Sequence, residues 1–266
     1  MERLQPRIPG MSALRFDGVD LLQAQVDNFN RTVGEPNGYH CPLCNDRGGS
    51  MYLDDLGYKV FRPCECARIR STMVKVKNSG MERMIRDKTF ASFRVTEPWQ
   101  EALVNTCREY LTEEGAWLVI SGQSGCGKTH LCTAVCRELA KNGRQTIYMR
   151  WLDAASRLKD MDLDSEIRNT EKEKFKTAEV LYIDDLLKTG GNGNPSRAEL
   201  NLAFEIINYR YGLCLPTVIS TELSPDQLMD LDQALGGRIQ EMAGRFHLYI
   251  APNRSRNMRL RGNVAQ

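Results

Sequence analysis

The sequence predicts an α/β protein: a parallel sheet with flanking helices, preceded by a small cysteine-rich module. Three observations carry this expectation. From Thr89 onward, short apolar runs alternate with helix-length ones, the texture of strands joined by helical crossovers. A glycine-rich stretch, Gly122–Thr129, stands between such a strand and such a helix. Ahead of that region, Cys41, Cys44, Cys64 and Cys66 cluster as two close pairs.

Taken in order, Val19–Phe29 reads as a weakly amphipathic helix, and 41–66 as the cysteine module, with turn-forming Asn45, Asp46, Gly48 and Gly49 after its first pair. A basic connector runs to about Lys88. Glu101–Leu111 is helical, Ala116–Ser121 a buried strand, and His130–Leu139 a helix opened by the glycine loop. Thr146–Trp151 and Val180–Ile183 are strands, and Leu200–Tyr211 is a helix. Thr217–Ser220 is a strand, Asp226–Met242 one helix, and Phe246–Ile250 a last strand. The expected division is 1–66 for an N-terminal region containing the module, 67–88 for a basic linker, and 89–266 for the α/β domain.

Composition narrows the class. With 41% hydrophobic and 26% charged residues the chain is ordinary for a globular protein. It shows no apolar run of roughly 18 residues and no apolar signal core near its start, so the reading is cytoplasmic with no membrane partner. A net charge of +2 is too small to imply a nucleic-acid partner. Local charge says more: Arg68, Arg70, Lys75, Lys77, Arg83, Arg86 and Lys88 are interrupted only by Glu82 and Asp87. Arg254, Arg256, Arg259 and Arg261 form an acid-free tail. The connector, with Lys172, Lys174 and Lys176, is a candidate for backbone contacts to DNA; the alternative for any such run is a solvated face. Of nine cysteines, Cys107, Cys126, Cys132, Cys136 and Cys214 are scattered through apolar stretches and read as small buried residues.

Gly122–Thr129 fits G-x-x-x-x-G-K-[ST] in the strand-to-helix context that the motif requires. Its backbone, Gly122, Gln123, Ser124, Gly125, Cys126 and Gly127, would wrap the phosphates of ATP with amide groups. Lys128 would reach the β- and γ-phosphates, and Thr129 would coordinate Mg²⁺. Cys126 fills space in this loop, and His130 follows it as a helix residue beside the nucleotide. The run Val180–Asp185 delivers Asp184 to the exposed end of a buried strand, where it would hold the Mg²⁺ shell. Two roles are open to Asp185: orienting the attacking water, or joining the magnesium shell.

The cysteine pairs, Cys41-x-x-Cys44 and Cys64-x-Cys66, supply four thiolates for a structural Zn²⁺ with no open position for chemistry. The second pair is shorter than the common C-x-x-C form, which leaves His40 open as a replacement ligand. So small a segment would need the metal to fold.

The runs WLVISGQSGCGKTHLCTAV, YIDDLLK, FEIINYRYGLCLPTVISTELSPDQL and ALGGRIQEM, with TFASF at Thr89–Phe93, resemble the DnaC/DnaI-type helicase loaders, including phage-borne versions. The resemblance covers roughly Cys41 to Leu260. It implies a P-loop AAA+ ATPase sheet and a zinc-ribbon-like N-terminal module. Most AAA+ ATPases have glutamate where Asp185 stands, and aspartate is one methylene shorter. The strand Thr217–Ser220 matches sensor 1, whose tip is often asparagine; here Thr221 or Glu222 would take that role. An acid there needs magnesium-bound water or a basic partner. Arg238 matches the arginine finger that reaches a neighbouring subunit's ATP, so ATP-dependent self-assembly is implied. Arg259 resembles a sensor 2 arginine, yet fewer than twenty residues follow Ile250, so the lid is expected to be truncated or absent. Arg259 would either fold back on the phosphates or touch DNA.

The function implied is ATP-dependent loading of a replicative DnaB-type helicase onto single-stranded DNA, with slow turnover alone. A transposition helper ATPase of the IstB type shares the ATPase motifs, but the cysteine module argues against it. A zinc-ribbon adaptor with a structural nucleotide is a third reading, kept open by Asp185 and Glu222. A small-molecule P-loop kinase gives no account of Arg238 or the cysteines.

Overall fold

In the computed structural model, residues 18–35, 40–67, 81–160, 165–191 and 193–261 are described. Of the basic connector, Arg68, Arg70, Lys75 and Lys77 lie outside the described residues, as do the side chains of Arg83 and Arg86; so does the Arg261 side chain. The chain divides into two compact units, Met1–Arg70 and Ser71–Gln266.

In the first unit, helix α1 (Gly18–Arg31) covers an antiparallel hairpin of β1 (Gly49–Leu53) and β2 (Lys59–Pro63). Asn30 joins helix to hairpin: its amide exchanges two 2.9 Å hydrogen bonds with the Met51 backbone. The Asp54 carboxylate closes the hairpin turn by accepting from Leu56 and Tyr58 backbone N–H groups. Ahead of β1, Asn45 and Asp46 both take left-handed backbone angles, which reverse the chain after Cys44.

The second unit holds a five-stranded, all-parallel sheet in the order β4-β5-β6-β3-β7. The strands are β3 (Leu118–Gly122), β4 (Thr146–Arg150), β5 (Val180–Asp184), β6 (Thr217–Thr221) and β7 (His247–Ile250). The three central strands are buried at every residue, because helices cover both faces. Those helices are α2 (Glu82–Asp87), α3 (Pro98–Tyr110), α4 (Lys128–Lys141), α5 (Trp151–Asp160), α6 (Ser165–Thr177), α7 (Arg197–Gly212), α8 (Pro225–Leu231) and α9 (Gln233–Ala243). A short helix, α10 (Met258–Arg261), follows a single 3-10 turn after β7.

Several elements differ from expectation. Asp226–Met242 is two helices, because Asp232 turns extended and its carboxylate caps α9 at Leu235 N–H. The strand expected to reach Trp151 ends at Arg150, and Trp151 opens α5. The helices α5 and α6 between β4 and β5 were not expected at all. Residues 81–88 form α2 and its C-cap, packed within the second unit: Met81 and Ile85 are buried, and Arg137 Nη1 donates to Ile85 O at 2.6 Å. No helix among the described residues is long and apolar enough to cross a membrane.

Candidate functional site

The glycine loop leaves β3 and enters α4 through positive backbone angles at Gly125 and Gly127. Space, as well as conformation, demands glycine there. A Cβ on Gly125 would lie 2.1 Å from Asn257 Oδ1, and one on Gly127 would lie 2.8 Å from the Phe93 ring. The C-terminal segment closes against the same loop. Gln123 and Asn253 exchange hydrogen bonds of 2.8 and 2.7 Å, and Met258 N–H donates to Gly125 O at 2.8 Å. Gln123 therefore spends its side chain on the tail. Arg259 Nη1 reaches Ser124 Oγ at 3.4 Å, which puts the arginine at the loop.

Lys128 is only 4% exposed. Its ammonium donates to Gly122 O (2.8 Å) and Gln123 O (2.9 Å), two carbonyls of the loop itself. Cys126 is buried and its thiol donates to Gln123 O, while burial pushes its pKa up. His130 packs edge-on against Phe93, with Nε2 2.9 Å from Thr89 O, so its ring is committed to the segment Thr89–Phe93. Burial lowers its pKa. Cys132 and Cys136 are wholly buried, and burial pushes both thiols up, whereas Cys214, expected to be buried, is exposed in the turn after α7.

Asp184, at the end of β5, is surrounded by hydroxyls. Its Oδ1 accepts from Thr129 Oγ1 (3.0 Å), Tyr182 OH (2.7 Å) and Ser220 Oγ (2.6 Å); its Oδ2 accepts from Tyr148 OH (2.9 Å). Burial, reinforced by the Asp184 charge, keeps the Tyr148 phenol protonated far above its ordinary range. Sequence reasoning missed Tyr148, Tyr182 and Ser220. Asp185 sits just beyond with φ +57°; its N–H donates to Ser220 Oγ at 2.9 Å and its carboxylate pairs with Lys188 at 3.1 Å.

The two sensor candidates separate. Thr221 is fully buried and its hydroxyl donates to Leu186 O at 2.9 Å, inside the fold. Glu222 faces the cleft and pairs with Lys188 at 3.0 Å, the basic partner that an acid there requires. Lys88, Ser124, Lys128, Thr129, Asp185, Lys188, Glu222 and Arg259 line one cleft of about 280 Å³. Asp184 lies on the adjoining groove with Thr129 and Tyr148. The arrangement combines amide donors, cations and hard oxygen donors, the chemistry that suits a triphosphate with Mg²⁺.

Arg238 on α9 does not line this cleft. Its guanidinium lies over Phe204 (5.0 Å) and Tyr211 (5.4 Å) and donates to Ala234 O at 2.8 Å. Lys172 and Lys176 both pair with Glu205, and Lys174 with Glu171, so these lysines are engaged by carboxylates.

In the first unit the four sulfurs of Cys41, Cys44, Cys64 and Cys66 lie within 4.8 Å of one another. Burial raises the Cys44 thiol, but hydrogen bonds from Cys66, Cys41 and the Gly48 backbone bring it down to about 7. A lowered thiol pKa suits metal ligation, which requires thiolate. His40 turns elsewhere: its Nδ1 lies 2.6 Å from Asp46 Oδ2, and Asp46 Oδ1 accepts from Cys41 N–H at 2.7 Å.

Comparison with known proteins agrees with this geometry. Residues 52–238 match the IstB-like ATP binding protein family. The PBSX phage-like element protein XkdC of Bacillus subtilis is 31% identical over 225 residues, covering 80% of this chain and 82% of XkdC. The replicative helicase loader DnaC of Escherichia coli is 26% identical over 170 residues, covering 61% of this chain and 65% of DnaC. A crystal structure of the DnaC helicase loader superposes with a TM-score of 0.54 at 24% identity, over 64% of this chain and 98% of that one. The chain belongs to the IstB-like ATP binding protein family, and it is a P-loop ATPase of the AAA+ type.

Proposed function

From that membership we propose that the protein is an ATP-dependent loader that binds a replicative DnaB-type helicase and delivers it to single-stranded DNA. The observation that carries the reading is the pairing of this ATPase unit with a separate four-cysteine unit. A transposition helper of the IstB type gives no use for the second piece. The E. coli relative, named as a replicative helicase loader, supports the same choice.

Within the ATPase unit, Gly122–Gly127 cradle the phosphates with backbone N–H groups, and Lys128 leaves its loop carbonyls for the β- and γ-phosphates. Thr129 and Asp184 hold Mg²⁺, which when bound screens the charge of the triphosphate. Asp185 orients the attacking water, and Arg259 contacts the phosphates from the tail. Arg238 acts on a neighbouring subunit's nucleotide in an ATP-dependent assembly. In the first unit the four cysteines hold a structural Zn²⁺, and residues 1–66 bind the helicase. The basic connector and tail meet DNA phosphates.

The test mixes the protein with the replicative helicase of its host, with and without ATP. Complex formation is measured, then unwinding on DNA coated with single-strand binding protein. The expected result is a complex whose grip on DNA changes with nucleotide, a change that Lys128→Ala abolishes. A protein that ignores the helicase in every nucleotide state and responds to a transposase is the transposition helper instead. One that binds the helicase with no dependence on Lys128 is a passive adaptor.

A further inference from the structure

The four residues after β5 follow an unusual path. Asp185 and Leu187 both take left-handed backbone angles (φ +57° and +58°), which non-glycine residues adopt only when their surroundings hold them there. The hold is visible: Leu186 and Leu187 are buried, Leu186 N–H donates to Ser220 O at 2.8 Å, and Thr221 Oγ1 donates to Leu186 O at 2.9 Å. The result of this double turn is the position of Lys188. Its ammonium stands 3.1 Å from Asp185 Oδ2 and 3.0 Å from Glu222 Oε1. All three side chains line the cleft that contains Lys128 and Thr129.

The chemistry of that cleft makes the arrangement purposeful. Asp185 and Glu222 are acids beside the place where a triphosphate would bind, and each would repel it. One cation between them reduces the pair to a single net negative charge. Burial lowers the Lys188 pKa, but hydrogen bonds to Glu222 and Asp185 leave it above the ordinary lysine value, so it stays charged at neutral pH.

We propose that Lys188 is a positioning residue of the ATP site: it neutralises Glu222, which makes an acid tolerable beside the triphosphate, and it holds Asp185 turned into the cleft. The proposal rests on the reading of this cleft as the ATP site. It accounts with one residue for both departures from the usual AAA+ pattern, the short Asp185 and the acidic Glu222. A lysine that merely stapled the loop would carry no such charge dependence.

The experiment titrates a fluorescent ATP analogue, and the matching ADP analogue, into the full-length protein and measures turnover. Lys188→Met is expected to weaken ATP binding by roughly five- to tenfold, the effect of one uncompensated charge at a partly exposed site. The loss for ADP is smaller. Adding Glu222→Gln to Lys188→Met returns ATP affinity to within about twofold of wild type, because the charge that Lys188 offset is gone. Turnover stays low in the double variant, since Asp185 is no longer held. Wild-type affinity in Lys188→Met overturns the proposal, as does an equal loss in the single and double variants. Wild-type protein that binds no ATP, or binding that Lys128→Ala leaves unchanged, overturns the reading of the cleft and this proposal with it.

Discussion

Arg210 on α7 is fully buried, and oxygen dipoles satisfy its guanidinium. It donates to Thr217 Oγ1 (2.9 Å) and to the carbonyls of Phe175 (3.1 Å), Lys176 (2.9 Å), Ala178 (2.8 Å) and Pro216 (2.6 Å). Three of those carbonyls belong to the C-terminal end of α6 and the residue just past it, where the helix leaves its last oxygens unpaired and its dipole favours a cation. Burial brings the Arg210 pKa down to about 10, still far above neutrality. The side chain thus ties α6 to the start of β6. Arg210→Met keeps the volume but orphans these buried oxygens, so the expected cost is about 3 kcal/mol or more. A urea midpoint showing a loss under about 0.5 kcal/mol would refute this role. The same scale explains what sequence could and could not reveal about the site. Lys128, Thr129 and Asp184 were legible because their motifs are local and their chemistry is specific. Tyr148 and Ser220 were not. They meet Asp184 only because β4, β5 and β6 are neighbours in the sheet, a register that no spacing in the chain announces. Tyr182 instead stands two residues before Asp184 on the same strand, a spacing that was there to read.

At the scale of elements, strands were easier to read than the helices between them. Val180–Asp184 is a buried apolar run ending in acid, and little else fits that pattern. The helix α5 carried a signal that was passed over: Trp151, Ala154, Ala155 and Leu158 are buried at the i, i+3, i+4, i+7 spacing of one helical face. By contrast α6 had little to find, since among its described side chains Phe175 alone lies in the hydrophobic core. Its other ties are polar: ion pairs such as Lys172–Glu205 and Arg157–Glu171, and the Arg210 bonds to its last carbonyls. The break between α8 and α9 was available in Asp232, whose carboxylate competes with the backbone for a helical N–H. That break sets the start of the helix that carries Arg238. The aromatic faces of Phe204 and Tyr211 hold its guanidinium in cation–π contacts, each worth about 0.5–1 kcal/mol at an exposed site. If Arg238 acts on a neighbouring subunit's nucleotide, as proposed, Arg238→Ala should leave ATP affinity unchanged while lowering turnover by at least roughly tenfold at concentrations that favour assembly. Equal turnover in wild type and variant across a concentration series would exclude action in trans.

The whole molecule is two units with two kinds of stability. The ATPase unit has a large core around Trp117, Trp151, Leu181, Ile183, Ile206 and Ile219. The first unit offers Cys41, Cys44 and Cys66 as a small cluster with Cys64 packed against it, while Leu43, Leu56 and Tyr58 are exposed. Apolar burial of that size is small against the conformational entropy of ordering a segment of some fifty residues, and the proposed metal would supply much of the difference. If four thiolates hold one Zn²⁺, removing it costs the binding free energy, which in this setting is folding free energy. The ATPase core contains none of these residues and should not follow. Freshly purified, reduced protein is expected to carry about one zinc per chain. Thermal unfolding should then show two transitions, and a strong chelator should erase one while leaving the other, and ATP affinity, in place. Cys44→Ser should reproduce the effect of the chelator, whereas His40→Ala should not, since His40 is turned to Asp46. A single transition that moves as a whole on chelation would show that the two units fold as one. Full-length protein with no zinc and an unchanged melt would show that the four sulfurs are packed thiols, and the first unit would then owe its fold to the contacts of α1 with its hairpin.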